Sequence, residues 1–84
     1  MAIKIRVTLT PDYVAEILSG GKIKKMYNPW ETIEYIRNSR PLSVEVNNRG
    51  LTLAQSLDKH LPKMKIVVVS DRAMDKEFSK REEE

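Results

Sequence analysis

Lys22, Lys24 and Lys25 stand close together and run into Tyr27 and Trp30, and the whole stretch from Gly20 to Trp30 contains no acid. Elsewhere twelve Lys/Arg balance twelve Asp/Glu, so these three lysines carry the chain's entire net charge of +3. Ammonium groups attract phosphates as point charges, and an aromatic face stacked on a base contributes about 1–3 kcal/mol. Such a segment is suited to nucleic acid or to an acidic protein surface. A helix opening near Pro29 and turning about 100° per residue sets Trp30, Ile33, Ile36, Arg37 and Arg40 on one side and Glu31 and Glu34 towards the other. Arg37 and Arg40 would then extend the basic-aromatic surface with bidentate contacts to phosphate or carboxylate. The same residues also have a purely structural reading. Ile23, Met26 and Trp30 would fill the gap between two helices, the lysines would be solvated, and the arginine stems would lie along the core edge.

Catalytic constellations are thin. Ser56 and His60 are four apart and therefore neighbours on a helix, but Asp58 points elsewhere, so a nucleophile and base would have no third member. A structural histidine at the edge of a leucine face is the plainer reading. Asp71 and Asp75 follow the last strand, where α/β proteins often keep site residues, yet Ser70-Asp71 also reads as a helix start. Gly20-Gly21-Lys22 lacks the spaced second glycine and the Lys-Ser/Thr pair of a phosphate loop. One histidine and no cysteine rule out a conventional zinc site. The chain is therefore expected to act by binding, with no catalytic residue, metal or cofactor.

The elements that would position these residues can be read from spacing. Ile3, Ile5, Val7 and Leu9 alternate with Lys4, Arg6, Thr8 and Thr10, the period of a half-buried strand. Thr10 and Pro11 read as the cap and first turn of a short helix carrying Tyr13, Val14, Ile17 and Leu18, stopped by Gly20-Gly21. The run from Thr8 to Lys25, with its Pro-Asp-Tyr helix leading to Leu-Ser-Gly-Gly-Lys, resembles the opening of ASCH-type RNA-binding domains. It covers under a quarter of the chain, and the remainder is too short and too helical for their barrel, so no family is assigned.

Asn28-Pro29-Trp30-Glu31 opens a second helix, expected over 29–38 and ended by Arg40-Pro41. Leu42, Val44 and Val46 alternate as a strand that closes at Asn47 to Gly50. Thr52 to Gln55 forms a capping box for a helix carrying Leu53, Leu57 and Leu61, ended by Pro62; a hairpin returning through Leu51 to Leu53 is the alternative. Ile66 to Val69 is apolar and β-branched throughout, as in a central strand covered on both faces, and would complete a βαβ unit. Ser70 would cap a last helix carrying Met74 and Phe78.

The expected fold is a small two-layer α/β sandwich of about three strands and three to four helices in β-α-α-β-α-β-α order. Residues 1–79 would form one domain, and 80–84 a frayed acidic tail with Glu82, Glu83 and Glu84 at the negative pole of the helix dipole. Eighty-four residues barely offset their ordering entropy. A homodimer through a sheet face or edge would reinforce them, unless Met74 and Phe78 fold back over the open face. The apolar runs are too short for a membrane span, the N-terminus does not follow a signal-peptide pattern, and cysteine is absent, so a cytoplasmic location is expected. Two functions follow as expectations. The first is an accessory nucleic-acid-binding protein using Lys22, Lys24, Lys25, Tyr27, Trp30, Arg37 and Arg40. The second is a protein-interaction module, such as a phage- or plasmid-type inhibitor or adaptor, whose basic surface or sheet edge meets an acidic partner.

Overall fold

The computed structural model describes residues 4–10, 12 and 14–82, with side chains as far as Phe78. Ile3, Pro11 and Tyr13, together with Glu83 and Glu84 of the expected tail, lie outside the described residues. The elements run β1 (Lys4–Leu9), β2 (Ala15–Ser19), β3 (Lys22–Met26), α1 (Pro29–Ser39), β4 (Ser43–Asn47), α2 (Leu51–His60), β5 (Ile66–Val69) and α3 (Asp71–Glu82). A single 3-10 turn at Asn48–Gly50 leads from β4 into α2. The strands form one mixed sheet in the order β3-β2-β1-β4-β5. Strands β1, β4 and β5 are mutually parallel, and the β2-β3 hairpin adds to β1 with β2 antiparallel.

Five strands replace the expected three, and the difference arises between Val14 and Met26. The first expected helix is strand β2, and the basic segment is strand β3, paired with β2 from Ala15 opposite Met26 to Ser19 opposite Lys22. Spacing alone fits either form, because Val14, Ile17 and Leu18 make a helical stripe and also serve a strand whose two faces are both covered. Consecutive glycines settle the local geometry. Gly20 has φ 58° and Gly21 φ 83°, and two positive values in a two-residue loop are what a type I′ hairpin turn demands. A helix stop needs only one. The helix on which the likeness to ASCH-type domains rested is therefore absent.

Strand β1, not the apolar β5, is central. β5 closes the sheet at one edge, with Val67 and Val68 exposed. The layering also differs from a two-layer sandwich. Ile17 joins Ile5, Val7, Val44 and Val46 beneath Ile33 and Ile36 of α1 and Leu53 and Leu57 of α2. Its neighbour Leu18 faces the other way and packs with Met74 and Phe78 of α3. Successive strand residues point to opposite faces, so α1 and α2 cover one face and α3 part of the other.

Other expectations hold. Asn28 caps α1 by accepting from the Trp30 N–H at 2.8 Å, with Pro29 in the first turn. The Asn47 to Gly50 turn leads into a helix and not a returning strand, although Gly50, not Thr52, occupies the cap position and no side chain caps it. Ser70 Oγ accepts from the Ala73 N–H at 3.2 Å, capping α3.

The hairpin turn gives a direct test. A Cβ at Gly20 meets nothing within 4 Å, so substitution there costs backbone strain alone. Replacing Gly20 and Gly21 together by alanine should lower the unfolding free energy in urea by about 2–4 kcal/mol. Gly20→Asn should stay within about 1 kcal/mol of wild type, because asparagine tolerates the left-handed region.

Candidate functional site

The pleat of β3 divides the three lysines. Lys22 and Lys24 share the face of Met26, which is buried beneath α1 and α2, whereas Lys25 lies on the α3 face with Ile23. Lys24 sets its Nζ 5.2 Å from the centroid of the Tyr35 ring on α1, a cation–π distance. Lys25 Nζ lies 4.0 Å from Glu16 on β2, opposite it in register. Lys22 and Lys24 have no carboxylate within 4.0 Å among the described residues. The basic segment is thus an edge strand with charge on both faces.

Tyr27 follows the end of β3 and is 73% exposed. Trp30 is 58% exposed and meets His60 edge-on, with ring centroids 4.9 Å apart at 61°. The indole therefore lies outside the buried stripe of α1, which consists of Thr32, Ile33 and Ile36. His60, read from sequence as a structural histidine at the edge of the leucine face, is exposed and its described contact is this aromatic one.

Arg37 is exposed and its Nη1 donates to Glu34 Oε1 at 2.6 Å, so Glu34 sits beside it and not across the helix. An exposed pair of this kind is worth about 0.2–1 kcal/mol and yields readily to a competing anion. Arg40 ends α1 in the left-handed region, φ 48°, and its N–H donates to the Ile36 carbonyl at 3.1 Å. Pro41 keeps Arg40 out of the right-handed helical region, and the left-handed conformation it takes instead is the usual one for a residue closing a helix. Arg40 thus has a backbone role whatever its guanidinium meets.

Sequence reasoning missed a cleft of about 360 Å³ at the carboxyl end of β1, lined by Leu9, Ala15, Met26, Tyr27, Thr52 and Ser56 among others. Its walls come from five segments, and of its lining the sequence drew attention to Tyr27 as a binding residue and to Ser56 as a nucleophile lacking a third member. Arg49, also overlooked, binds the same end of β1: Nη1 donates to the Leu9 carbonyl at 3.1 Å while its backbone N–H donates to Asp71 Oδ1 at 2.7 Å. Asp71 is in this way tied into the start of α3. Among the described residues no group of three potential metal ligands occurs, and no helix is long and apolar enough to cross a membrane. No family model, curated protein or solved structure matches this chain.

The exposure of the two aromatics separates a surface role from a packing role. Tyr27→Ala and Trp30→Ala should each shift unfolding free energy by less than about 1 kcal/mol, whereas Ile33→Ala on the same helix should cost about 2–5 kcal/mol. As the sole tryptophan, Trp30 should be quenched by acrylamide almost as efficiently in the folded chain as in urea. Strong protection in the folded state would place it in the core.

Proposed function

We propose that this chain is a non-enzymatic module that binds single-stranded nucleic acid along β3 and the turn into α1. The observation that carries the reading is the succession of charge and exposed rings along the chain. A lysine-bearing edge strand runs directly into two exposed aromatics, and only Lys25 among its lysines has a carboxylate within 4.0 Å among the described residues. Lys22, Lys24 and Lys25 supply attraction to phosphates, Tyr27 and Trp30 offer faces to unpaired bases, and Arg37 and Arg40 on α1 would add further cationic contacts to a longer strand. Exposed rings favour single strands over duplexes, whose bases are already stacked on one another.

One observation favours a second reading. β3 is a sheet edge, and an extended acidic peptide could add to it as a strand, with its carboxylates on the lysines. That partner would be an acidic protein surface.

The two readings separate in a salt titration. With three phosphates neutralised, affinity for a labelled single-stranded oligonucleotide should fall about 20-fold between about 50 and 200 mM salt. Alanine at Lys22, Lys24 and Lys25 together should abolish most of that dependence while leaving urea unfolding nearly unchanged. Absence of oligonucleotide binding at the lower salt, with retained capture of a polyglutamate peptide, would discard the nucleic-acid reading in favour of the acidic partner.

A further inference from the structure

Strand β5 ends the sheet with open backbone groups. The Val44 N–H donates to the Lys65 carbonyl at 2.9 Å, and Val44 stands opposite Ile66 in the parallel register. In such a ladder both groups of one residue point to the same side and successive residues alternate. Lys65, Val67 and Val69 therefore turn theirs towards β4, and Ile66 and Val68 turn theirs outwards. The side chains offer no protection. Ile66 to Val69 contain no charge, proline or glycine, and Val67 and Val68 are 36% and 40% exposed. The opposite edge is treated differently: β3 carries three lysines, a device by which sheets discourage strand addition. Neither neighbouring helix closes the β5 edge, since α2 packs on one sheet face and α3 turns back over β1 and β4.

We propose that the β5 edge joins two copies of this chain, antiparallel about a two-fold axis, into one continuous sheet. Charge along the strand selects a second copy as the occupant. Lys63 and Lys65 precede β5 and Asp71 and Arg72 follow it, and neither lysine has a carboxylate within 4.0 Å among the described residues. A two-fold axis makes the paired strands antiparallel, which sets Lys65 of each opposite Asp71 of the other. Centred on Val68, this register lets Val68 exchange two N–H···O bonds with its counterpart and brings Val67 opposite Val69 of the second copy. The contact closes at two chains. Addition of β5 to β3 would instead run on as a filament, and the β3 lysines oppose it. So short an interface falls in the weak class, and association depends on concentration.

Sedimentation equilibrium on the full chain, from about 10 µM to about 1 mM, should show the mass rising from 9.7 kDa towards twice that value. Val68→Lys should weaken association at least about tenfold and leave the urea midpoint in place, because it puts a charge on the open edge. Lys65→Glu and Asp71→Lys chains should each associate poorly alone, since both create like-charge pairs, but should form a mixed dimer when combined. A monomer throughout this range, assemblies larger than two, a Val68→Lys dimer of unchanged affinity, or a mixture no better than either variant alone would each overturn the proposal.

Discussion

Strand β1 lies between two partners of opposite direction, and every other element is arranged by the need to satisfy its backbone on both sides. β2 pairs antiparallel along one edge and β4 parallel along the other. Where β4 ends, a side chain continues the ladder. Asn47, fully buried, accepts from the Leu9 N–H through Oδ1 at 2.9 Å and donates through Nδ2 to the Leu9 carbonyl at 3.2 Å. A buried amide left without these partners would cost about 1–3 kcal/mol, so the β1–β4 register and the turn after β4 are specified together. Gly50 completes the arrangement: a Cβ there would come within 3.0 Å of Asn47 Oδ1 and of Val46, so only glycine lets the chain pass over the amide without displacement.

With the sheet so fixed, the pleat distributes chemistry between its faces. Odd-numbered positions of β1 enter the core beneath α1 and α2, and even-numbered positions carry Lys4 and Arg6 to the other face, where both meet Glu45 on β4 at 3.4 and 3.0 Å. The α3 layer covers only the part of that face around Leu18, Ile23 and Val69. The same alternation divides Lys25 from Lys22 and Lys24. A ligand following this edge meets charge on both sides of the strand, which suits a flexible polymer better than a compact anion.

The two edges of the sheet answer one physical problem in different ways. An unpaired strand presents donors and acceptors that can recruit another strand. β3 carries lysine on both faces, which repels copies of itself and attracts anions. β5 carries only β-branched apolar residues, which favour burial against another strand. The binding proposed for one edge and the pairing proposed for the other are compatible, because they draw on separate surfaces.

Much of this was legible from local chemistry. Asn28-Pro29 marks the start of α1, Pro41 and Pro62 mark helix stops, the alternation of Val44 and Val46 marks β4, and Ser70 marks the start of α3, because caps and prolines act within a few residues of themselves. Burial of Ile33, Ile36, Leu57, Met74 and Phe78 follows from the same periodicities, and the charge of the basic segment is written in residue type alone. Tertiary structure decided the rest. Val14 to Leu18 fits helix and strand equally by spacing; the Gly20-Gly21 turn permits a hairpin, and the segment is a strand because β1 and β3 lie on either side to pair with it. The β-branched run at Ile66 to Val69 states a strong preference for burial but not its position in the sheet, since sheet order depends on how distant segments pair. The split of the lysines between two faces and the assembly of the cleft arise in the same way. Hydrogen-bond partners and packing neighbours far away in the chain are properties of the folded whole, and no local pattern encodes them.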